Sequence, residues 1–121
     1  MSLPTQPIIL LIGQDPTLSY LLARFAEHSG YQWKVCAHNA PSHEIAAINP
    51  AVIIFLSTEL LARDQAFVTE LADLDAPIVV CSSVVEEVEA RELGADYCLL
   101  HPLTYNGFQA ALANVTASKP I

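Results

Sequence analysis

The sequence predicts an α/β protein with one doubly wound, parallel five-stranded sheet and helices on both of its faces. Three apolar runs, at 8–12, 51–56 and 77–81, are long enough to be strands buried on both faces. Two further strands are predicted at 33–37 and 97–100, and helical patterns with short loops separate all five. Such strict alternation is typical of a parallel sheet, because parallel strands are joined by crossover connections, usually helices.

The first strand leads through a short polar turn into a helix start at Asp15-Pro16. Aspartate caps the free N–H groups of a helix, and proline suits the first helical position. The helix is predicted over 17–28, and Gly30 is predicted to end it. Apolar side chains at helical spacing are predicted to face the sheet: Leu18, Leu21, Leu22 and Phe25.

The middle of the chain is predicted to hold a short helix and a longer one. A loop over 38–40 and a helix over 43–48 follow the second strand. After the third strand, a loop over 57–59 precedes one continuous helix over 62–74. The inward residues of that helix are predicted to be Phe67, Leu71 and Leu74.

The last third of the chain is predicted to add two helices. The helix over 84–93 carries four glutamates, and Val85 and Val88 are predicted to be its inner contacts. After the fifth strand, Thr104 is predicted to cap a final helix. Its predicted inner stripe is Phe108, Leu112 and Val115.

Composition indicates one domain of a soluble, reduced protein. The 121 residues are assigned as a lead-in (1–6), a domain (7–117) and a tail (118–121). Mean hydropathy is +0.40, which fits a fully buried sheet. No apolar stretch reaches the roughly 18 residues that a membrane span needs, and the N-terminus lacks signal-peptide features. A cytoplasmic location is therefore expected, without membrane contact.

The charged, cysteine and histidine residues suggest no cofactor or metal site. Thirteen acids against five bases give a net charge of −8, which excludes direct nucleic-acid binding because no basic patch can be assembled. The cysteines lie in or beside apolar runs and are predicted to be buried thiols: Cys36, Cys81 and Cys98. Histidines without metal-ligand spacing are predicted on the surface: His28, His38 and His43.

Several landmarks over residues 7–117 resemble those of a response-regulator receiver domain of the CheY-like superfamily. The run 93–102, Leu-Gly-Ala-Asp-Tyr-Cys-Leu-Leu-His-Pro, is similar to the family's Gly-Ala-Asp run that ends in Lys-Pro. The run 76–83, Ala-Pro-Ile-Val-Val-Cys-Ser-Ser, looks like the family's fourth strand with its terminal hydroxyl residue. The resemblance implies a flavodoxin-like strand order 2-1-3-4-5 and a role in bacterial two-component (phosphorelay) signalling.

Receivers take a phosphoryl group onto an aspartate, beside Mg²⁺ held by an acid pair that follows the first strand. The resemblance places that acid pair on Gly13 and Gln14, while Asp15 comes one position late. It places the phospho-acceptor on Leu56, or on Ser57 if the alignment slips by one. Neither the metal-binding pair nor the acceptor aspartate is therefore present.

The remaining family positions keep a hydroxyl and a proline but lose the lysine. The hydroxyl residue falls on Ser82, the lysine on His101, and the switch aromatic on Cys98. The resemblance also suggests a cis bond between His101 and Pro102. We expect a pseudo-receiver without catalytic residues, and we term the following set the vestigial pocket: Gly13, Gln14, Asp15, Leu56, Ser57, Ser82, His101 and Pro102.

The leading hypothesis is a phosphorylation-independent module that contacts a histidine kinase, an output domain or another signalling protein. In the family, the fourth helix, fifth strand and fifth helix carry output contacts and dimers, so partner docking or homodimerisation is expected there. On their own, the acidic residues of this face are more often a merely solvated surface than a docking site. The corresponding residues are Glu86, Glu89, Cys98, Tyr105, Ala110 and Ala113.

Two other functions stay open from the sequence. The first is a small-ligand- or anion-binding flavodoxin-like domain that uses the vestigial pocket, although no glycine-rich phosphate loop supports it. The second is a working receiver that is phosphorylated on Ser57 or on Glu59.

Overall fold

Five parallel strands form a single sheet in the order β2-β1-β3-β4-β5 in a computed structural model, which describes residues 6–37 and 41–117. This confirms the predicted fold class and strand order. The strands are β1 (Ile8–Ile12), β2 (Gln32–Cys36), β3 (Val52–Phe55), β4 (Ile78–Ser82) and β5 (Tyr97–Leu100). The predicted tail, the loop with His38, and the predicted lead-in apart from Gln6 lie outside the described residues.

Six α-helices among the described residues cover the two faces of the sheet. They are α1 (Pro16–His28), α2 (Ser42–Ile48), α3 (Thr58–Arg63), α4 (Gln65–Ala72), α5 (Glu87–Glu92) and α6 (Tyr105–Ala117). One core layer joins the sheet to α1 and α6 through residues such as Leu22 and Phe108. The other joins it to the remaining helices through residues such as Ile45 and Phe67. Burial of the strands on both faces explains why three of them read as uninterrupted apolar runs.

The helix predicted over 62–74 is wrong in its extent, because two short helices follow β3. The first begins at Thr58, where the Ser57 hydroxyl accepts a hydrogen bond from Leu60 N at 3.4 Å. Asp64 ends it and caps the second, since its Oδ1 accepts a hydrogen bond from Phe67 N at 3.0 Å. Phe67 and Leu71 are nevertheless buried as predicted.

The prediction that Val85 and Val88 face the core is also wrong. Val84, Val85 and Val88 are 69%, 92% and 69% exposed, whereas Ala90 is fully buried. A 3-10 turn over Val84–Glu86 precedes α5, and this tighter turn changes the phase of the residues that follow. The 3-10 turn and α5 therefore present three valines to solvent, and we term Val84, Val85 and Val88 the valine face.

Candidate functional site

The vestigial pocket lies at the carboxyl ends of the strands, where β1, β3, β4 and β5 end side by side. Ile12 pairs with Phe55, Phe55 with Val80, and Ser82 with Leu100. The residues that follow these strand ends are therefore neighbours in space. Ligands bind at this end of the strands in open α/β sheets.

Gly13 and Leu56 close the part of this end of the sheet between β1 and β3. Gly13 has a φ of +141° and donates a hydrogen bond from its N–H to Cys36 O at 3.0 Å. Leu56 N donates to Ile12 O at 3.0 Å, and its side chain is only 5% exposed. A β-carbon on Gly13 would lie 3.0 Å from Leu56 Cβ. A leucine side chain therefore occupies the space beside the first turn, and the apolar core extends to the edge of the sheet.

The first turn presents no pair of free carboxylates. Gln14 is exposed, and the side chain of Asp15 caps α1, with Oδ1 accepting a hydrogen bond from Leu18 N at 3.0 Å. This confirms the predicted role of Asp15 at the helix start. Within residues 6–37 and 41–117, no three histidine, cysteine, aspartate or glutamate side chains are grouped so that they could hold a metal ion.

Two buried hydroxyl groups lie at the ends of β3 and β4. Neither Ser82 Oγ nor Thr58 Oγ1 has a hydrogen-bond partner among the described residues, and the two residues are 1% and 4% exposed. Ser57 differs from both, because its hydroxyl caps α3. Thr58 was not among the site residues predicted from the sequence. The signal that could have identified it is the pair of adjacent hydroxyl residues, Ser57 and Thr58, that follows the apolar run of β3.

His101 extends this end of the sheet beyond β5, but its side chain is exposed. Its backbone N–H donates to Ser82 O at 3.1 Å, which holds the turn after β5 against the end of β4. The bond between His101 and Pro102 is cis, as the resemblance suggested. In the vestigial pocket, Gly13, Leu56 and Ser82 are thus buried and Ser57 half-buried, while Gln14, Asp15, His101 and Pro102 lie on the surface.

Burial disfavours the thiolate form of two of the described cysteines. Burial, together with the negative charge of Asp15, raises the pKa of the Cys81 thiol from 9.0 to about 12. Desolvation by burial, with a contribution from Glu44, also raises the pKa of Cys36, which is only half-buried. Both thiols stay protonated at neutral pH, which makes them poor nucleophiles because the thiolate is the reactive form.

The predicted interaction face is only partly a surface. Glu86, Glu89, Ala110 and Ala113 are exposed, whereas Cys98 is buried beneath α5. The Cys98 Sγ is 3.9 Å from Glu87 O. The exposed apolar side chains beside these glutamates are those of the valine face, two of which, Val85 and Val88, were predicted from the sequence to face the core.

Tyr105 is directed to α1 and away from this face. Its hydroxyl donates to His28 O at 3.1 Å, and its ring is 5.6 Å from that of Phe25. Tyr105 therefore joins the start of α6 to the end of α1.

A depression of about 550 Å³ lies at the other end of the strands, where they begin. Asn49, Pro50, Asp73 and Asp75 are among its lining residues. Its lining includes no serine, threonine, cysteine, histidine, lysine or arginine side chain. Among the described helices, none is long and apolar enough to cross a membrane.

Comparisons with known proteins identify the fold. No family model matches the chain, and no curated protein is significantly similar to it in sequence. A CheY-like protein (TadZ) from Pseudomonas aeruginosa superposes with a TM-score of 0.73 at 13% identity, over 97% of this chain and 98% of that one. A protein named for pilus assembly (CpaE) from Burkholderia thailandensis gives 0.66 at 19% identity, over 93% and 99%.

A chemotaxis protein, CheY4 of Vibrio cholerae, gives a TM-score of 0.64 at 17% identity, over 92% of this chain and 99% of that one. Coverage of both chains is nearly complete in each of these cases. The chain therefore has the fold of a response-regulator receiver domain.

Proposed function

We propose that this chain is a receiver-like signalling module that is not an enzyme and acts by protein–protein contact without being phosphorylated. The observation that carries the proposal is the packing of Leu56 against Gly13. A working receiver needs an aspartate at the position that Leu56 occupies here and a carboxylate ligand for Mg²⁺ beside the position of Gly13. Here an apolar side chain fills that space, and an oxygen-seeking cation has no ligands there.

The valine face supports the proposed mode of action. Three large apolar side chains project from the 3-10 turn and α5, among exposed carboxylates such as Glu86 and Glu89. Contiguous exposed apolar side chains rimmed by polar residues are typical of protein-binding surfaces. A histidine kinase, an output domain or another signalling protein would dock here, in the cytoplasm. Pilus assembly, after which one of the structurally similar proteins is named, is one setting for such a partner.

Treatment with acetyl phosphate and Mg²⁺, followed by intact-mass measurement, tests the absence of phosphorylation. We expect no phosphoryl adduct on the native chain, because neither a metal site nor an acceptor carboxylate is available. A bona fide receiver domain treated in parallel shows that the reagent is active. A phosphoryl adduct on this chain, whether an acid-stable phosphoserine at Ser57 or a labile acyl phosphate at Glu59, would contradict the proposal.

A second candidate function is the binding of a small anion or ligand at the vestigial pocket. The two unpartnered hydroxyls, Ser82 Oγ and Thr58 Oγ1, favour it, because buried polar groups usually have hydrogen-bond partners. A thermal-shift titration with inorganic phosphate and with nucleotides tests this alternative. A rise in melting temperature that Ser82→Ala abolishes would support it, and no rise with any of these ligands would exclude binding of them.

A further inference from the structure

Strand β2 is an edge strand, and no other strand among the described residues pairs with its outer side. It lies at the end of the sheet, paired only with β1. Four of its five residues are exposed, in contrast to the buried strands β3 and β4. An edge of this kind presents backbone N–H and C=O groups that are free to pair with another strand.

The direction of these free groups follows from the register of the β1–β2 pair. Gln32 N donates to Pro7 O at 2.9 Å, and Cys36 O accepts from Gly13 N at 3.0 Å. In a parallel ladder, alternate residues direct both backbone groups to the same neighbour. Gln32, Lys34 and Cys36 therefore bond to β1, and the N–H and C=O groups of Trp33 and Val35 point away from the sheet.

The side chains of the same two residues line an apolar groove beside α1, which we term the edge groove. It has a volume of about 430 Å³. Tyr20, Trp33 and Val35 are 66%, 39% and 45% exposed, and they are the large exposed apolar residues of the described chain that lie outside the valine face. The edge groove is lined by Pro16, Ser19, Tyr20, Ala23, Arg24, Glu27, Trp33 and Val35.

The basic residues beside the β2 edge are unpaired, unlike the other arginines of the described chain. Arg63 and Arg91 pair with Glu59 and Glu87, whereas Arg24 and Lys34 form no ion pair with another described residue. The guanidinium of Arg24 lies 6.0 Å from the centre of the Tyr20 ring, within the groove.

Lys34 lies between Trp33 and Val35, so its side chain is on the opposite side of the sheet from theirs. The one carboxylate of the groove, that of Glu27, accepts a hydrogen bond from Trp33 Nε1 at 3.1 Å. An unpaired cation is thus present on each side of the free edge.

We propose that the β2 edge binds an extended segment of another protein, in which apolar and acidic residues alternate. The segment adds as a sixth strand and pairs with the backbone groups of Trp33 and Val35. Its apolar side chains pack into the edge groove, while its acidic side chains lie on the other side, beside Lys34. Main-chain hydrogen bonds supply affinity and the alternating side chains supply specificity in this type of recognition.

Pairing with a second copy of β2 is disfavoured by the same lysine. An antiparallel arrangement that pairs Trp33 with Val35 of the second copy places the two Lys34 residues directly opposite each other. Like charges at that position destabilise a strand pair, and edge lysines are a common device against self-association.

The fluorescence of Trp33 tests the proposal, because it is the only tryptophan of the chain. The probes are two synthetic peptides as long as β2, one alternating valine with glutamate and one alternating valine with lysine. We expect the Val/Glu peptide to shift Trp33 emission to the blue and to bind about tenfold more tightly than the Val/Lys peptide. Hydrogen exchange should slow at the amides of Trp33 and Val35 and not at that of Lys34.

Two charge-reversing variants with the same net charge separate a local effect from a general one. Lys34→Glu should remove the preference for the Val/Glu peptide, whereas Arg63→Glu, on α3, should keep it. Val35→Pro, which edge strands tolerate, should abolish binding by removing an outward N–H.

Three outcomes overturn the proposal: equal responses to both peptides or none, equal effects of the two charge reversals, and amide protection at Trp33 that rises with protein concentration alone. The last result would assign the edge to a second copy. All of these outcomes are independent of the phosphorylation test.

Discussion

A β-carbon added to Gly13 would lie only 3.0 Å from the Cβ, Cγ and Cδ1 atoms of Leu56, so the two residues are sterically coupled. Gly13→Ala should destabilise the protein by about 1–3 kcal/mol, through both the positive φ and the close contact. A Leu56→Ala background removes the contacts of the new methyl group with Leu56 Cγ and Cδ1 but keeps the one with Cβ, so the same change should cost at least about 0.5 kcal/mol less there. Urea unfolding of the four proteins of this cycle measures the coupling.

Gly30→Ala is the matched control for this cycle. Gly30 also has a positive φ, +83°, but no atom lies within 4 Å of its added β-carbon. Its cost should be the same in both backgrounds. Strictly additive effects of the changes at Gly13 and Leu56 would contradict the contact.

Asp15 should behave as a helix cap and not as a metal ligand. Asp15→Ala should lower the free energy of unfolding by about 1 kcal/mol, because Leu18 N loses its acceptor. Asp15→Ser should cost less, since serine also caps. Thermal unfolding with and without Mg²⁺ checks both points, and a Mg²⁺-dependent stabilisation that only Asp15 confers would refute this assignment.

The 3-10 turn and α5 predict opposite effects on stability for substitutions at an exposed and at a buried apolar position. Val85→Asp should change the free energy of unfolding by less than about 0.5 kcal/mol, because the side chain is in solvent. Ala90→Leu should destabilise by about 1–3 kcal/mol, since Ala90 is fully buried. Chemical denaturation of both variants measures this difference, and a large loss for Val85→Asp would restore the inward assignment.

Asp96 should be a structural residue of the turn before β5. Its Oδ2 accepts a hydrogen bond from Ile78 N at 2.8 Å, and its own N–H donates to Ile78 O at 2.7 Å. Asp96→Ala should cost about 1–2 kcal/mol and Asp96→Asn less, because the amide oxygen still accepts. Equal losses in urea unfolding would show that this side-chain hydrogen bond does not contribute.

Cys81 should make the protein less stable in alkali. Its pKa is raised to about 12 in the folded state, above the ordinary value of 9.0, because the thiolate is disfavoured by burial and by Asp15. This contribution to stability is fully present below about pH 9 and is lost as the pH rises towards 12. Urea unfolding at about pH 8 and about pH 10.5 should show a smaller loss for Cys81→Ala than for the native chain. Equal losses would exclude Cys81 as the cause.

The elements predicted correctly are those in which local signals agree with burial. The apolar run of β1 and the Asp15-Pro16 helix start both depend on neighbouring residues, and both are found as predicted. The capping of α6 by Thr104 is confirmed for the same reason, since its hydroxyl accepts from Gly107 N at 3.0 Å. The strand ends differ from prediction by at most one residue.

The errors of prediction occur where a single turn determines which side chains of the following helix face the core. Asp64 has the side chain of a helix cap, yet the apolar spacing after it also suits an uninterrupted helix. The 3-10 turn before α5 rotates the valines outwards, and apolar spacing alone does not reveal such a turn. The contact between Leu56 and Gly13 joins two strands, so the sequence could place the two residues at one edge but could not show that they touch.

The buried end of β3 also bears on how this chain can change during evolution. A carboxylate introduced at Leu56 alone would replace a side chain that is 5% exposed and would have neither a cation nor an acid pair around it. An unpaired buried charge is strongly destabilising, so the substitution would be removed by selection before it could bring any benefit. Acquiring an acceptor site would require changes at Gly13, Gln14 and Leu56 within one lineage. Single substitutions therefore favour retention of an apolar side chain at this position, whereas substitutions of the exposed valine-face residues carry no such burial penalty.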